Sequence, residues 1–427
     1  MTPLLPNPIP EIYVLWHPRC ELGEFLARRI HSWLRPGNGL GPQVFYRSLS
    51  APEAPAGGLP PPLPGESRSY SATSAATRIS NFQIVLPLID EQMIADAAWR
   101  HWLAQLTSPS NSPEPREFMP VALDSTAFNA PDRLREKNFL RPAGGPVAGP
   151  VNDAAKEAIA RSLLRQLTEA MCRLMLGRRA DPAPATGNPP NPTMRDGGAP
   201  KVKIFLSHAK IDGTVPSRRI RDYIYSQTQL AAFYDENDIP FGSAFGRVLE
   251  TNVQADETAA LIAVRSARYA SRPWCRRELS LFRRPIPETP DLLTVTQWRL
   301  NPVVVVEAID GGDRTAGIPE LGNAPLIRWD EKVPEQEEQI VTTLLRDAML
   351  AAFHSAVGRT LPETPGRIVL NWLPDPTTLL QIPRVRDMAA GELQVFYPGR
   401  GLSGLELDIL SEFFPSLEFR SFEEELS

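Results

Sequence analysis

KIFLSHAKID, residues 203–212, decides the fold. Apolar side chains run to Leu206, Ser207 and His208 follow, and charge begins at Lys210. This is the profile of a buried strand whose carboxyl end opens into a polar loop. Upstream lies DPAPATGNPPNPTMRDGGAP, residues 181–200. Proline fixes φ and lacks an N–H donor, so this stretch predicts a linker. Downstream, short apolar runs (LAAFYD, TAALIAVRS, NPVVVVEAI, APLIRW) alternate with amphipathic ones (SRRIRDYIYSQTQ, SAFGRVLETNVQ, PWCRRELSLFRR). A long pattern, EQEEQIVTTLLRDAMLAAFHSAV, ends the series as a helix. Strands alternating with helices predict an α/β domain with a parallel sheet covered on both faces.

The same plan precedes the linker. EIYVLWHP aligns with VKIFLSHA, QVFYRS with AAFYDE, NFQIVLPLI with TAALIAVRS, EFMPVAL with NPVVVVEAI, and SLLRQLTEAMCRLMLG with TTLLRDAMLAAFHSAVG. Five pairs in one order predict a duplicated unit. In this alignment His17 matches His208. The expected organisation is a first domain over 1–180 with a long proline-rich loop at 51–66, a linker over 181–200, a second domain over 201–360, and a small C-terminal α/β segment over 361–427.

The chain has 427 residues and a formal net charge of −5, which gives no reason to expect non-specific nucleic-acid binding. Its three cysteines, Cys20, Cys172 and Cys275, are far apart and predict no disulfide framework. No signal peptide and no membrane span are expected, so a cytoplasmic protein is predicted.

Three motifs in the second domain fall in order: IFLSHAKID, FYDENDIPFG and SRPWCRRELSLF. Together they resemble the Toll/interleukin-1 receptor (TIR) domain family, in particular its bacterial NAD-cleaving type. The resemblance covers about a third of the chain. It implies a flavodoxin-like parallel sheet in each of two TIR-type domains, the first degenerate. It implies that Glu278, four residues after Trp274, is the catalytic carboxylate of an NAD+ nucleosidase. Phe205, Ser207, His208, Asp235, Asn237, Asp238, Phe241, Gly242 and Trp274 would frame the substrate. NAD+ would be substrate rather than cofactor, and no metal is expected. The family also implies an effector of bacterial anti-phage defence, activated by homo-oligomerisation through TIR domains. Its trigger would be a protein, nucleotide or nucleic acid, and its product the hydrolysed or the cyclised form. The competing expectation is a TIR scaffold without turnover. Taken alone, Glu278 also reads as a surface glutamate in a helical ion pair, and Trp274 as core filling.

In the first domain Arg47 aligns with Asp235, and the glutamate position falls near His101, so no catalysis is expected there. The tail contains PGRGLSGLEL, with Gly399, Gly401 and Gly404 spaced as in a dinucleotide fingerprint and Glu423 about 20 residues on. A plain glycine-rich strand-to-helix turn explains the same residues. His17-Pro-Arg-Cys20 lacks a second ligand pair, which argues against zinc. Cys275 is expected to be a small buried residue rather than a nucleophile.

Overall fold

The computed structural model describes residues 9–35, 41–47, 80–107, 116–142, 151–177, 203–228, 230–234, 258–288, 297–309, 317–322, 324–362, 366–386, 393–399 and 402–426. The chain divides into two units, Pro8–Leu167 and Thr168–Glu425.

In the first unit the chain runs β1 (Pro10–Trp16), α1 (Glu21–Leu34), β2 (Gln43–Arg47), β3 (Phe82–Ile89), α2 (Glu91–Ala95), α3 (Ala97–Leu106), β4 (Arg116–Phe118) and β5 (Val121–Ala122), and then enters α4 (Asp153–Gly177). The strands pair in parallel in the order β2-β1-β3-β4, with β5 also on β3. Every residue of β3 is buried, as expected of a central parallel strand. Cys20 caps α1 by accepting from Gly23 N. A Cβ on Gly23 would sit 2.8 Å from Trp16 Cβ, so only glycine lets α1 approach β1 this closely.

The second unit continues with β6 (Lys203–His208), α5 (Thr214–Gln227), β7 (Ala231–Tyr234), β8 (Thr258–Arg265), α6 (Pro273–Phe282), β9 (Ile286–Pro287), β10 (Gln297–Arg299), β11 (Val303–Glu307), β12 (Leu326–Arg328) and α7 (Gln336–Gly358). Five of these strands form a parallel sheet in the order β7-β6-β8-β11-β12. This is the flavodoxin-like order, and the first unit's sheet shares its first four positions. The chain leaves β6 toward β7 and leaves β8 toward β11, in opposite directions. Right-handed crossovers therefore put α5 and α6 on opposite faces and open a crevice past the carboxyl ends of β6 and β8. Helix α6 buries Cys275, Leu279 and Phe282 against Phe205, Leu261, Ala263 and Val303. Each large side chain so buried contributes roughly 1.5–3 kcal/mol.

The tail adds β13 (Arg367–Leu370), β14 (Leu393–Tyr397), α8 (Gly404–Phe413) and β15 (Leu417–Ser421). Its strands do not stand alone. The third sheet has the order β15-β14-β13-β10-β9 and takes two strands from residues ahead of α7. Helix α7 packs on β8 and β11 of one sheet and on β10 and β13 of the other. A helix covered on both sides needs no polar face. This explains why α7, contrary to the sequence expectation, is long and apolar enough to cross a membrane: 72% of that stretch is buried inside the fold.

Candidate active site

A cavity of about 710 Å³ opens at the carboxyl end of β6. One wall is the turn His208, Ala209, Lys210 and Ile211, and the other is the start of α6: Arg272, Pro273, Trp274, Cys275 and Glu278. Its size lies within the ~300–1,000 Å³ typical of small-molecule sites. Pro273 at the first helical position pre-sets φ for α6. Arg272 offers no side-chain cap, so no side chain of the cap residue covers the first N–H groups of α6.

Trp274 and Glu278 lie one turn apart and both line the cavity. Their environments differ sharply: Trp274 is 51% exposed, whereas Glu278 is 6% exposed. Neither the core-filling reading of the tryptophan nor the surface reading of the glutamate holds. The Arg277 guanidinium sits 5.7 Å from the centre of the Trp274 ring. Glu278 lies beside Leu279 in the helix, at the boundary between the hydrophobic core and the cavity.

Side chains outside the lining hold this wall in place. Ser207 Oγ lies 2.8 Å from Tyr269 Oη, which donates to the Cys275 carbonyl at 3.3 Å. The Cys275 thiol donates to the His208 carbonyl at 3.4 Å. Asp212 accepts from Ser266 Oγ at 2.6 Å and from Arg268 N at 2.9 Å, tying the loop after β6 to the loop after β8. Burial raises the Cys275 thiol to a pKa of about 12, with the Glu278 charge adding to the effect. Burial also pushes the Tyr269 phenol well above its ordinary range. Both are neutral hydrogen-bonding groups at pH 7, which disfavours the nucleophilic thiolate form of Cys275.

Of the residues expected at the site, His208, Trp274 and Glu278 come together on the lining. Phe205 does not. Strand alternation turns its ring into the core, where it packs 5.5 Å from Phe282, so it is unavailable for stacking on a ligand. Ser207 is also buried and serves the Tyr269 bridge. Asp235, Asn237, Asp238, Phe241 and Gly242 lie outside the described residues. Sequence reading missed Lys210, Arg272, Asp212 and Tyr269. Lys210, Asp212 and Arg272 carried a signal, the first two in the strand-turn motif and the third just ahead of the helix.

The first unit corrects two alignments. The buried positions of α3 are Trp99, Trp102, Leu103 and Leu106, and those of α6 are Cys275, Glu278, Leu279 and Phe282, with the same spacing. The counterpart of Glu278 is therefore Trp102, not the exposed His101, and an indole fills the place of the carboxylate. His17 and His208 are not equivalent either. His17 continues the face of Tyr13 and Leu15, and its ring meets Trp99 at 5.3 Å. In the second sheet that face carries Phe205 and Ser207, one residue out of step with His208. Arg47 ends β2.

Gly401 of the glycine-rich turn lies outside the described residues, and the helix that follows, α8, does not present an open end. Ser403 and Glu406 form a capping box whose carboxylate accepts from Ser403 N at 2.8 Å. A phosphate would meet that carboxylate at the start of α8. Among the described residues no cluster of His, Cys, Asp or Glu is arranged to hold a metal ion. No protein-family model matches the chain, and no curated protein matches it.

Proposed function

We propose that residues 201–360, within the Thr168–Glu425 unit, form a TIR-type NAD+ nucleosidase that cleaves the bond between nicotinamide and ribose at Glu278. One observation carries this reading. A glutamate four residues after an exposed tryptophan is buried in the lining of a ligand-sized cavity, at the switch point of a parallel sheet.

The chemistry suits a single carboxylate. Nicotinamide leaves as a neutral ring when the pair of C–N bonding electrons returns to its cationic nitrogen, so no general acid is required. The ribose left behind resembles an oxocarbenium ion. A carboxylate in a largely water-excluded wall stabilises that positive charge far better than one in bulk water. Glu278 can also accept from a ribose hydroxyl. Trp274 offers an exposed ring face for a base, worth about 0.5–1.5 kcal/mol beyond area. Lys210, Arg272 and the first N–H groups of α6 give the same lining positive potential, which suits a pyrophosphate. Water then adds to the ribose carbon to give ADP-ribose and a proton, or an internal nucleophile gives a cyclic product.

By the resemblance, turnover awaits assembly through the TIR-type unit, and the effector acts in bacterial anti-phage defence. The test is nicotinamide release from NAD+ by purified protein, at high concentration and with a crowding agent. Wild type should release nicotinamide and Glu278→Gln should not, with unchanged circular dichroism. If wild type leaves NAD+ intact under every assembling condition, the non-catalytic scaffold becomes the reading to keep.

A further inference from the structure

Helix α8 presents an apolar line to solvent. Leu410 alone is buried in it, packing with Phe414 and Leu417 in the core of the third sheet. By contrast, Leu405, Ile409 and Phe413 are 71%, 41% and 65% exposed. They follow at intervals of four, so they form one stripe along just over two turns. At 100° per residue, Glu406 borders one side of this stripe and Asp408 and Glu412 border the other. The helix has no lysine or arginine.

The surrounding segment is equally one-sided. Residues 402–426 hold seven carboxylates and one arginine, a net −6 against −5 for the whole chain, so all other residues sum to +1. Glu406 is hydrogen-bonded through its carboxylate to Ser403, which lowers its pKa and keeps it ionised. An exposed apolar stripe at helical spacing marks an interaction surface, and carboxylates on both rims select the sign of what covers it. An anionic lipid surface would be repelled. A second copy of α8 would bring like-charged rims together.

We propose that α8 is a docking site for a cationic amphipathic helix of a partner protein, whose apolar face covers Leu405, Ile409 and Phe413 while its flanking lysines or arginines meet Glu406, Asp408 and Glu412. This surface is separate from the cavity at Glu278 and does not depend on what is cleaved there.

The full chain tests this with three peptides of about 18 residues, long enough to be helical when bound. One places leucine at helical spacing among lysines, one has the same composition scrambled, and one replaces lysine with glutamate. Fluorescence anisotropy should show the patterned leucine–lysine peptide binding at least about tenfold tighter than either control. Leu405→Ser with Phe413→Ser should remove that preference. Asp408→Lys with Glu412→Lys should transfer it to the leucine–glutamate peptide, a gain that misfolding cannot produce. Equal binding of the scrambled peptide, or no effect of either pair of substitutions, overturns the proposal. So does self-association, or binding to phosphatidylserine vesicles, that the Leu405→Ser and Phe413→Ser pair abolishes.

Discussion

Ser207 and Tyr269 form a buried hydroxyl pair with 2.8 Å between their oxygens, joining the end of β6 to the segment that leads into α6. Because the tyrosine proton goes to the Cys275 carbonyl, the serine proton must go to the tyrosine oxygen. The chain of bonds fixes the first turn of α6, and so the direction from which Glu278 reaches the cavity. Tyr269→Phe leaves both the Ser207 hydroxyl and the Cys275 carbonyl short of this partner and should cost about 1–3 kcal/mol in urea denaturation. Ser207→Ala leaves the Tyr269–Cys275 bond intact and should cost less, near 1 kcal/mol. The opposite ranking would show that the bridge does not run this way.

Cys275 lines the cavity yet should take no part in chemistry. A thiol with a pKa of about 12 is almost wholly protonated at pH 8. Iodoacetamide at that pH should leave Cys275 unmodified in native protein and label it only after denaturation, as peptide mass spectrometry would show. Cys275→Ala should keep nicotinamide release within a few-fold of wild type. Rapid native alkylation, or loss of turnover without loss of fold, would return the thiol to the list of reacting groups.

Most of the described strands and helices are legible because each carries its own period, from the continuous apolar run of TAALIAVRS to the four-residue spacing of α6; the helix expected over SAFGRVLETNVQ lies outside the described residues. Period alone places Trp274 and Glu278 on one helix face; that the pair belongs to a site is what the family resemblance implies, since spacing by itself suits a core tryptophan and a surface glutamate equally well. What sequence could not resolve was phase. A shift of one residue turns a strand side chain to the other face, which is why Phe205 falls in the core rather than the cavity and His17 does not match His208. The same one-residue error put His101 in place of Trp102. Nor does local pattern show β10 as a strand of the third sheet, because its pairing with β13 depends on residues about 70 positions away.

The exchange of Glu278 for Trp102 predicts opposite responses in the two units. Trp102 is packed edge-on to Trp99 at 5.4 Å inside the first unit's core. Trp102→Ala opens a cavity there and should cost about 3–5 kcal/mol. Glu278→Gln keeps the shape of the side chain and one acceptor oxygen in a lining position and should shift stability by less than about 1 kcal/mol. Differential scanning calorimetry of the two variants distinguishes a core position from a functional one. A Glu278→Gln loss as large as that of Trp102→Ala would mean that the glutamate is structural.

A buried histidine should make the second unit sensitive to mild acid. His354 lies in α7 with Nδ1 3.2 Å from the Asn371 carbonyl, and Asn371 Oδ1 accepts from Leu300 N at 2.9 Å. Burial lowers the His354 pKa from 6.5 to about 4. The folded state therefore binds fewer protons than the unfolded chain between those values. Stability is full above about pH 6.5 and is lost as pH falls toward 4, amounting to roughly 2 kcal/mol by pH 5. Asp347 in the same helix has the opposite sign, because burial raises it to about 6 and protonation relieves that cost. Comparison with His354→Asn isolates the histidine. Subtracting the variant's urea-unfolding free energies from those of wild type should give a difference that falls by about 2 kcal/mol from pH 7 to pH 5. A difference independent of pH would mean that His354 is already solvated or charged in the folded protein.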